Sequence, residues 1–257
     1  MTTNRTRGAG AIATGLGVLA AANVLNNRIA RRWAPLTSAA ATGALLVIAR
    51  REGLTWNELG FRRARAGAVT GGALAAGVAA VYAAGVALPR TRPLFHDARA
   101  LALSRRRVLE EALVQVPFGT VLLEEVGFRG VLPALLGRVL PARTSVAASA
   151  ALFGLWHVLP AMDMARANPA LGRLTAGETP DEAAGPMKAA RLETGRLVAG
   201  TVASTAAAGL VFHGLRHRAG LLAPALLHLA TNSLGYAAAR LSRRLDQPSR
   251  GSARPVR

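Results

Sequence analysis

Long apolar blocks separated by short basic runs dominate the chain. Residues 8–25, 34–49, 68–88, 108–123, 145–162, 196–215 and 221–239 each hold a stretch rich in alanine, glycine, leucine and valine. Blocks of roughly 17 to 25 residues have the length of a helix that crosses a bilayer. The pattern therefore predicts an all-α, polytopic membrane helix bundle of about seven transmembrane helices, within a range of about six to eight. The abundance of glycine and alanine predicts close helix–helix approach. Two arginines precede the first block, and no small-residue cleavage site with a polar start follows it, so it reads as a retained helix rather than a signal peptide.

The connections refine this picture. "WNELGFRRARAG", residues 56–67, is polar and basic and reads as an interfacial amphipathic stretch. The one long hydrophilic connection, 163–193, holds Asp163, Glu178, Asp181, Glu182 and Glu193 together with Pro169, Pro180 and Pro186. It predicts a loop with at most a short helix, placed to gate whatever site the preceding block builds. Residues 241–257 read as a disordered basic tail. Residues 1–107 form an N-terminal unit of membrane helices with the basic interfacial segment, and 108–240 form the core.

Charge and composition narrow the function classes. The net charge is +19 and aromatic residues make up only 4% of the chain. The arginines cluster at the ends of apolar blocks, as in "NRIARRW" and "RLSRR", where lipid headgroups lie. No run interleaves bases with aromatics as a single-strand binder does, so nucleic acid is not expected as a partner. Basic residues crowd nearly every loop, so charge bias gives no membrane orientation. There is no cysteine, hence no disulfide framework and no thiolate metal site.

Ionisable groups inside membrane helices cost about 2.5–3.5 kcal/mol each and usually mark function. Three places qualify. In "VLLEEVGFRG", Glu125 and Arg129 are four apart on one helix face and can pair, leaving Glu124 as a free carboxylate suited to general-base work. An ion-paired helix end at the interface is the alternative. In "FGLWHV", Phe153 and His157 share a face, and Trp156 is placed as an interface anchor or pocket residue. A satisfied core histidine is the alternative there. In "HLATN", His228 and Asn232 share a face and offer two donors to a developing oxyanion, or else a helix–helix hydrogen bond. Elsewhere, Glu110 and Glu111 read as a helix start, His96 and Asp97 as loop residues, and His213 and His217 as interfacial.

These are also the residues that carry a resemblance. "EEVGFR" fits E-E-x-x-x-R, "FGLWH" fits F-x-x-x-H, and "HLATN" fits H-x-x-x-N. Their order and spacing resemble the CPBP family of intramembrane proteases, which includes type II CAAX prenyl endopeptidases and bacterial Abi-type bacteriocin-immunity proteins. The resemblance covers about residues 108–236, and "WNELGFRR" is similar to a segment ahead of the family's core. It implies an integral membrane endopeptidase, in the cell membrane, with a buried active site and a membrane-associated peptide or protein as substrate. Glu124 would be the base acting with His157 on a water, and Arg129 would hold Glu125. Phe153 would pack at the site, while His228 and Asn232 would stabilise the oxyanion.

The resemblance also leaves choices. Members were first taken for metalloproteases, and zinc held by Glu124, His157 and His228 is the alternative to the metal-free mechanism favoured here. The chain has no H-E-x-x-H. A non-proteolytic immunity or scaffold protein of the same family is the second reading. A proton-coupled transporter is the third, weakened because the two halves show no matching broken helices.

Overall fold

The computed structural model describes residues 2–167 and 186–247, and among these the regular structure is helical with no strand. All seven apolar blocks fall in helical segments. They are α1 (Thr2–Val24), α2 (Ala34–Arg51), α3 (Ala64–Ala87), a composite rod, α8 (Ala142–Trp156) continuing through a break into α9 (Val158–Ala167), α10 (Pro186–Ala219), and α11 (Leu222–Asp246). A short α4 (Ala98–Ala102), capped by the Asp97 carboxylate, leads into the rod. The rod comprises α5 (Arg105–Glu110), a wide-turn π-helical stretch Glu111–Val121, α6 (Leu122–Glu125), a second wide-turn stretch Val126–Val131, and α7 (Leu132–Leu136). Glu111, expected at a helix start, instead opens the first wide-turn stretch, and both Glu110 and Glu111 pair with Arg107 behind them.

Among the described residues, four helices are long and apolar enough to cross a membrane: Gly8–Ile29, Ala64–Ala87, Ala142–Met164 and Thr194–Ala219. The chain is an all-α membrane helix bundle. The remaining helical segments are shorter or more polar. Helix α2 has 18 residues and ends in Arg50 and Arg51, the rod is broken into pieces, and α11 carries Arg240, Arg243, Arg244 and Asp246 towards its end.

The rod occupies the middle of the bundle. Helix α2 packs along one side and α11 along another, α3 lies against α11, and α8 pairs with α10. Leu45, Leu123, Val131, Leu132 and Leu135, all essentially inaccessible, knit α2 to the rod, and Leu19 of α1 joins the same core. Glycine permits the closest approach. A Cβ on Gly154 of α8 would sit 2.5 Å from the Val202 carbonyl oxygen of α10, so no other residue fits without moving a helix.

The first wide-turn stretch has a local cause. Pro117 has no N–H and cannot continue an ordinary helical ladder. The Leu122 N–H reaches back five residues to the Pro117 carbonyl, and the Leu132 N–H does the same to Gly127. Neighbouring helices donate to carbonyls of the rod. Ser38 Oγ bonds the Gly119 carbonyl at 2.6 Å, Ser149 Oγ bonds that of Phe128 at 2.7 Å, and Ser233 Oγ bonds that of Ala112 at 2.8 Å. Wide turns of this kind are frequent at functional positions.

Residues 56–67, read as an interfacial amphipathic stretch, run through turns to Gly60 and on into the start of α3; Leu59 is buried, Trp56 and Phe61 are exposed, and the Gly60 carbonyl accepts from the Leu221 N–H at 2.9 Å. Two expectations need correction. The connection 163–193 is helical at both ends, through Ala167 and again from Pro186, because its polar residues still suit helix; its proposed gating role falls largely on residues 168–185, outside the described residues. Helix α11 runs through Leu241 to Asp246, where Arg92 and His96 pair with its last carboxylate, so any tail starts later, and 248–257 lie outside the described residues.

Candidate active site

Glu124 and Glu125 sit on α6, the short ordinary helical piece between the two wide-turn stretches. Both are almost inaccessible, at 4% and 2% exposure, and Arg129 is at 1%. Three ionisable groups buried this deeply must find partners, and the partners come from α8, α10 and α11.

Glu125 is held from two sides. Arg129 Nη1 lies 3.5 Å from its Oε1, and His228 Nδ1 of α11 lies 2.8 Å from the same oxygen. No guanidinium nitrogen of Arg129 has a hydrogen-bond partner among the described residues. Aromatic faces take up the remaining charge: its Cζ is 3.7 Å from the Phe153 ring centroid and 4.9 Å from that of Phe212. Phe153 also meets Phe128 and the rings of His157 and His228 edge-on.

Glu124 has a different environment. Its Oε1 accepts the indole N–H of Trp156 at 2.8 Å. Its Oε2 is buried with no hydrogen-bond partner among the described residues. His157 Nε2 is 3.9 Å from Oε2, and His228 Nε2 is 3.7 Å from it. These separations are too long for direct hydrogen bonds and suit bridging by one small molecule.

The imidazole tautomers follow from the partners. His157 Nδ1 faces the Phe153 carbonyl at 2.8 Å. A carbonyl only accepts, so Nδ1 is the donor, and in the neutral ring Nε2 is the bare acceptor. His228 Nδ1 faces a carboxylate, which gives the same assignment. Two bare imidazole nitrogens and one carboxylate oxygen therefore gather around one point. All three are acceptors, so the point suits a species that donates in several directions, such as water.

Of the sequence-predicted residues, all but Asn232 are linked by the contacts above, with two changes. Trp156 is not an interface anchor: it is buried, its N–H is bound by Glu124, and its carbonyl accepts from Asn23 Nδ2 of α1 at 2.9 Å. His228 does not present Nδ1–H to solvent or substrate, because Glu125 takes it. Asn232 lies one turn beyond His228 on α11, half-buried, and its side chain makes no hydrogen bond among the described residues. Sequence reasoning missed Phe212 and Asn23. Asn23 carried a usable signal, a polar residue inside an apolar block. Phe212 carried none, since one phenylalanine in an apolar helix does not announce what it faces.

The donors also match a zinc site in kind, with two imidazole nitrogens and a carboxylate. They do not match in spacing. A tetrahedral zinc with bonds of about 2.0–2.1 Å sets its ligand atoms about 3.3 Å apart, and the separations here are 3.7 and 3.9 Å. Among the described residues no group of three histidine or acidic side chains is gathered closely enough to hold an ion.

A family model described as type II CAAX prenyl endopeptidase Rce1-like matches residues 111–234. The chain carries an Rce1-like domain. This domain contains Glu124, Glu125, Arg129, Phe153, Trp156, His157, Phe212, His228 and Asn232, so every side chain of the cluster except the supporting Asn23 falls within it. Its bounds lie inside the 108–240 core read from the sequence. Comparisons with curated proteins and with solved structures gave no match to the chain.

Proposed function

We propose that the protein is an intramembrane endopeptidase, in the cell membrane, that hydrolyses a peptide bond of a membrane-associated substrate with a water activated without metal. The observation that carries this reading is the Glu124 Oε2 atom, buried, unbonded and flanked by two imidazole Nε2 atoms at 3.9 and 3.7 Å. The CAAX prenyl substrates named in the family description are one member of the proposed substrate class.

In this reading a water donates to Oε2 and to a neighbouring Nε2. Glu124 takes its proton as the oxygen attacks the scissile carbonyl carbon, and the C=O pair becomes an oxyanion. The water's second hydrogen stays on the attacking oxygen as a hydroxyl that donates to His228 Nε2, whose ring Glu125 holds through Nδ1–H, and the Asn232 amide donates to the oxyanion. Collapse breaks the C–N bond, and the proton held by Glu124 passes to the leaving amine. Arg129 pairs with Glu125 in a site otherwise walled by phenylalanines.

The test is an assay in proteoliposomes against a panel of membrane peptides, prenylated and unprenylated, with products read by mass spectrometry. Cleavage by the wild-type chain that disappears in Glu124→Gln supports the reading. Cleavage that persists in Glu124→Gln removes Glu124 as the base.

A further inference from the structure

A cavity of about 610 Å³ opens at one end of the bundle. That is the size of a small-ligand pocket. None of the motif side chains lines it, so it is separate from the carboxylate–imidazole cluster. Helix ends converge there. The turns that follow α2 supply Glu58, the residues before α3 supply Arg62, the segment after α7 supplies Arg138, and the last turns of α10 supply His213, Arg216 and His217.

The charge on this wall is unbalanced. Three arginines and two histidines face one carboxylate, that of Glu58. Glu58 is already engaged: it accepts the Thr55 N–H at 2.7 Å and the Thr55 hydroxyl at 2.8 Å. Its other oxygen is 3.7 Å from Arg138, a loose contact between two half-exposed side chains. Arg216 is only 9% exposed. It donates to the Glu58 carbonyl, but its Nε has no hydrogen-bond partner among the described residues, and the Nε of Arg62 has none either. Buried guanidinium N–H groups left unmet beside a cavity are costly unless an anion reaches them.

We propose that this cavity is a phosphate-binding site at the membrane surface, filled by the phosphate of an anionic lipid headgroup or by free phosphate. Guanidinium forks match phosphate oxygens in shape and charge. The ends of α2, α3, α7, α8 and α10 meet there, which puts the site at the end of the bundle, at the level where headgroups lie.

The full chain, purified in detergent, is titrated with dioctanoyl phosphatidylglycerol, with dioctanoyl phosphatidylcholine and with inorganic phosphate, and thermal unfolding gives apparent Kd values. Phosphatidylglycerol is expected to raise Tm saturably and phosphatidylcholine is not. Arg62→Gln and Arg138→Gln should each weaken Kd by about tenfold or more, the worth of a charge-assisted bond. Arg244→Gln, exposed near the far end of α11, should leave it unchanged. Inorganic phosphate acting alone, with the same dependence on Arg62 and Arg138, upholds the site and identifies free phosphate as its source. Equal effects of the two lipids, no saturable shift with any probe, or Kd values unchanged in both variants would overturn the proposal. Arg138 is half-exposed, so its variant tests the site even where a change at the more buried positions disturbs folding.

Discussion

The indole N–H of Trp156 donates to Glu124 Oε1 at 2.8 Å, across the interface between α8 and the rod. The bond fixes which oxygen is committed to structure and which faces the two imidazoles. Trp156→Phe keeps the ring and removes the donor. A hydrogen bond to a charged group is worth about 1.5–3 kcal/mol, so cleavage should slow about ten- to hundredfold with helix content intact. Turnover measured beside circular dichroism checks this, and a fully active variant would contradict the assigned orientation of Glu124.

Arg129 is predicted to matter first for stability. Arg129→Met leaves the Glu125 carboxylate buried with only His228 as partner, which should cost about 3–5 kcal/mol. Glu125→Gln in the same chain removes the stranded charge and keeps an acceptor for His228 Nδ1–H, so the double variant should regain much of the loss. Unfolding in mixed detergent measures both. Equal losses in the single and double variants would show that the ion pair is not what holds this region.

Gly154→Ala sets two effects against each other. Alanine favours a helix interior by about 1 kcal/mol over glycine. Its Cβ, however, would lie 2.5 Å from the Val202 carbonyl oxygen, a contact that backbone must move to relieve. Overpacking of this kind costs about 1–3 kcal/mol, so we expect net destabilisation and a lower Tm. A stabilised variant would mean that α8 and α10 stand further apart.

Treatment with a chelator is expected to leave turnover unchanged, and the purified protein should contain no stoichiometric zinc by elemental analysis. The basis is the spacing of 3.7 and 3.9 Å around Glu124 Oε2, wider than a zinc shell. Loss of activity that added zinc restores would require the two histidines to close on Glu124 by several tenths of an ångström.

Much of the bundle was legible because the apolar blocks are long and the arginines fall between them. The meeting of Glu124, Glu125, Arg129, His157 and His228 was legible for a related reason: buried charges must be compensated, and these were the polar groups inside apolar blocks. The i, i+4 spacing foretold the Glu125–Arg129 contact even though the helix widens across it. Other features were not legible. A single proline, Pro117, does not by itself say that a helix will widen into a rod of wide turns. Trp156 has an apolar body and a polar tip, so headgroups and a buried carboxylate satisfy it equally well on paper. The i, i+4 pairing of His228 with Asn232 said nothing about Glu125, because that partner comes from another helix 103 residues away.

The central claim is that Glu124 is the base of a peptide-bond hydrolysis, and the most direct measurement compares peptide termini in membranes. Cells making the wild-type chain and cells making Glu124→Gln at equal protein level are compared by terminal-peptide mass spectrometry. General-base loss should slow turnover by about 10²–10⁴-fold. A set of new termini present with the wild-type chain should therefore vanish with Glu124→Gln, while the corresponding uncut proteins accumulate. Identical termini in the two membranes would contradict the account.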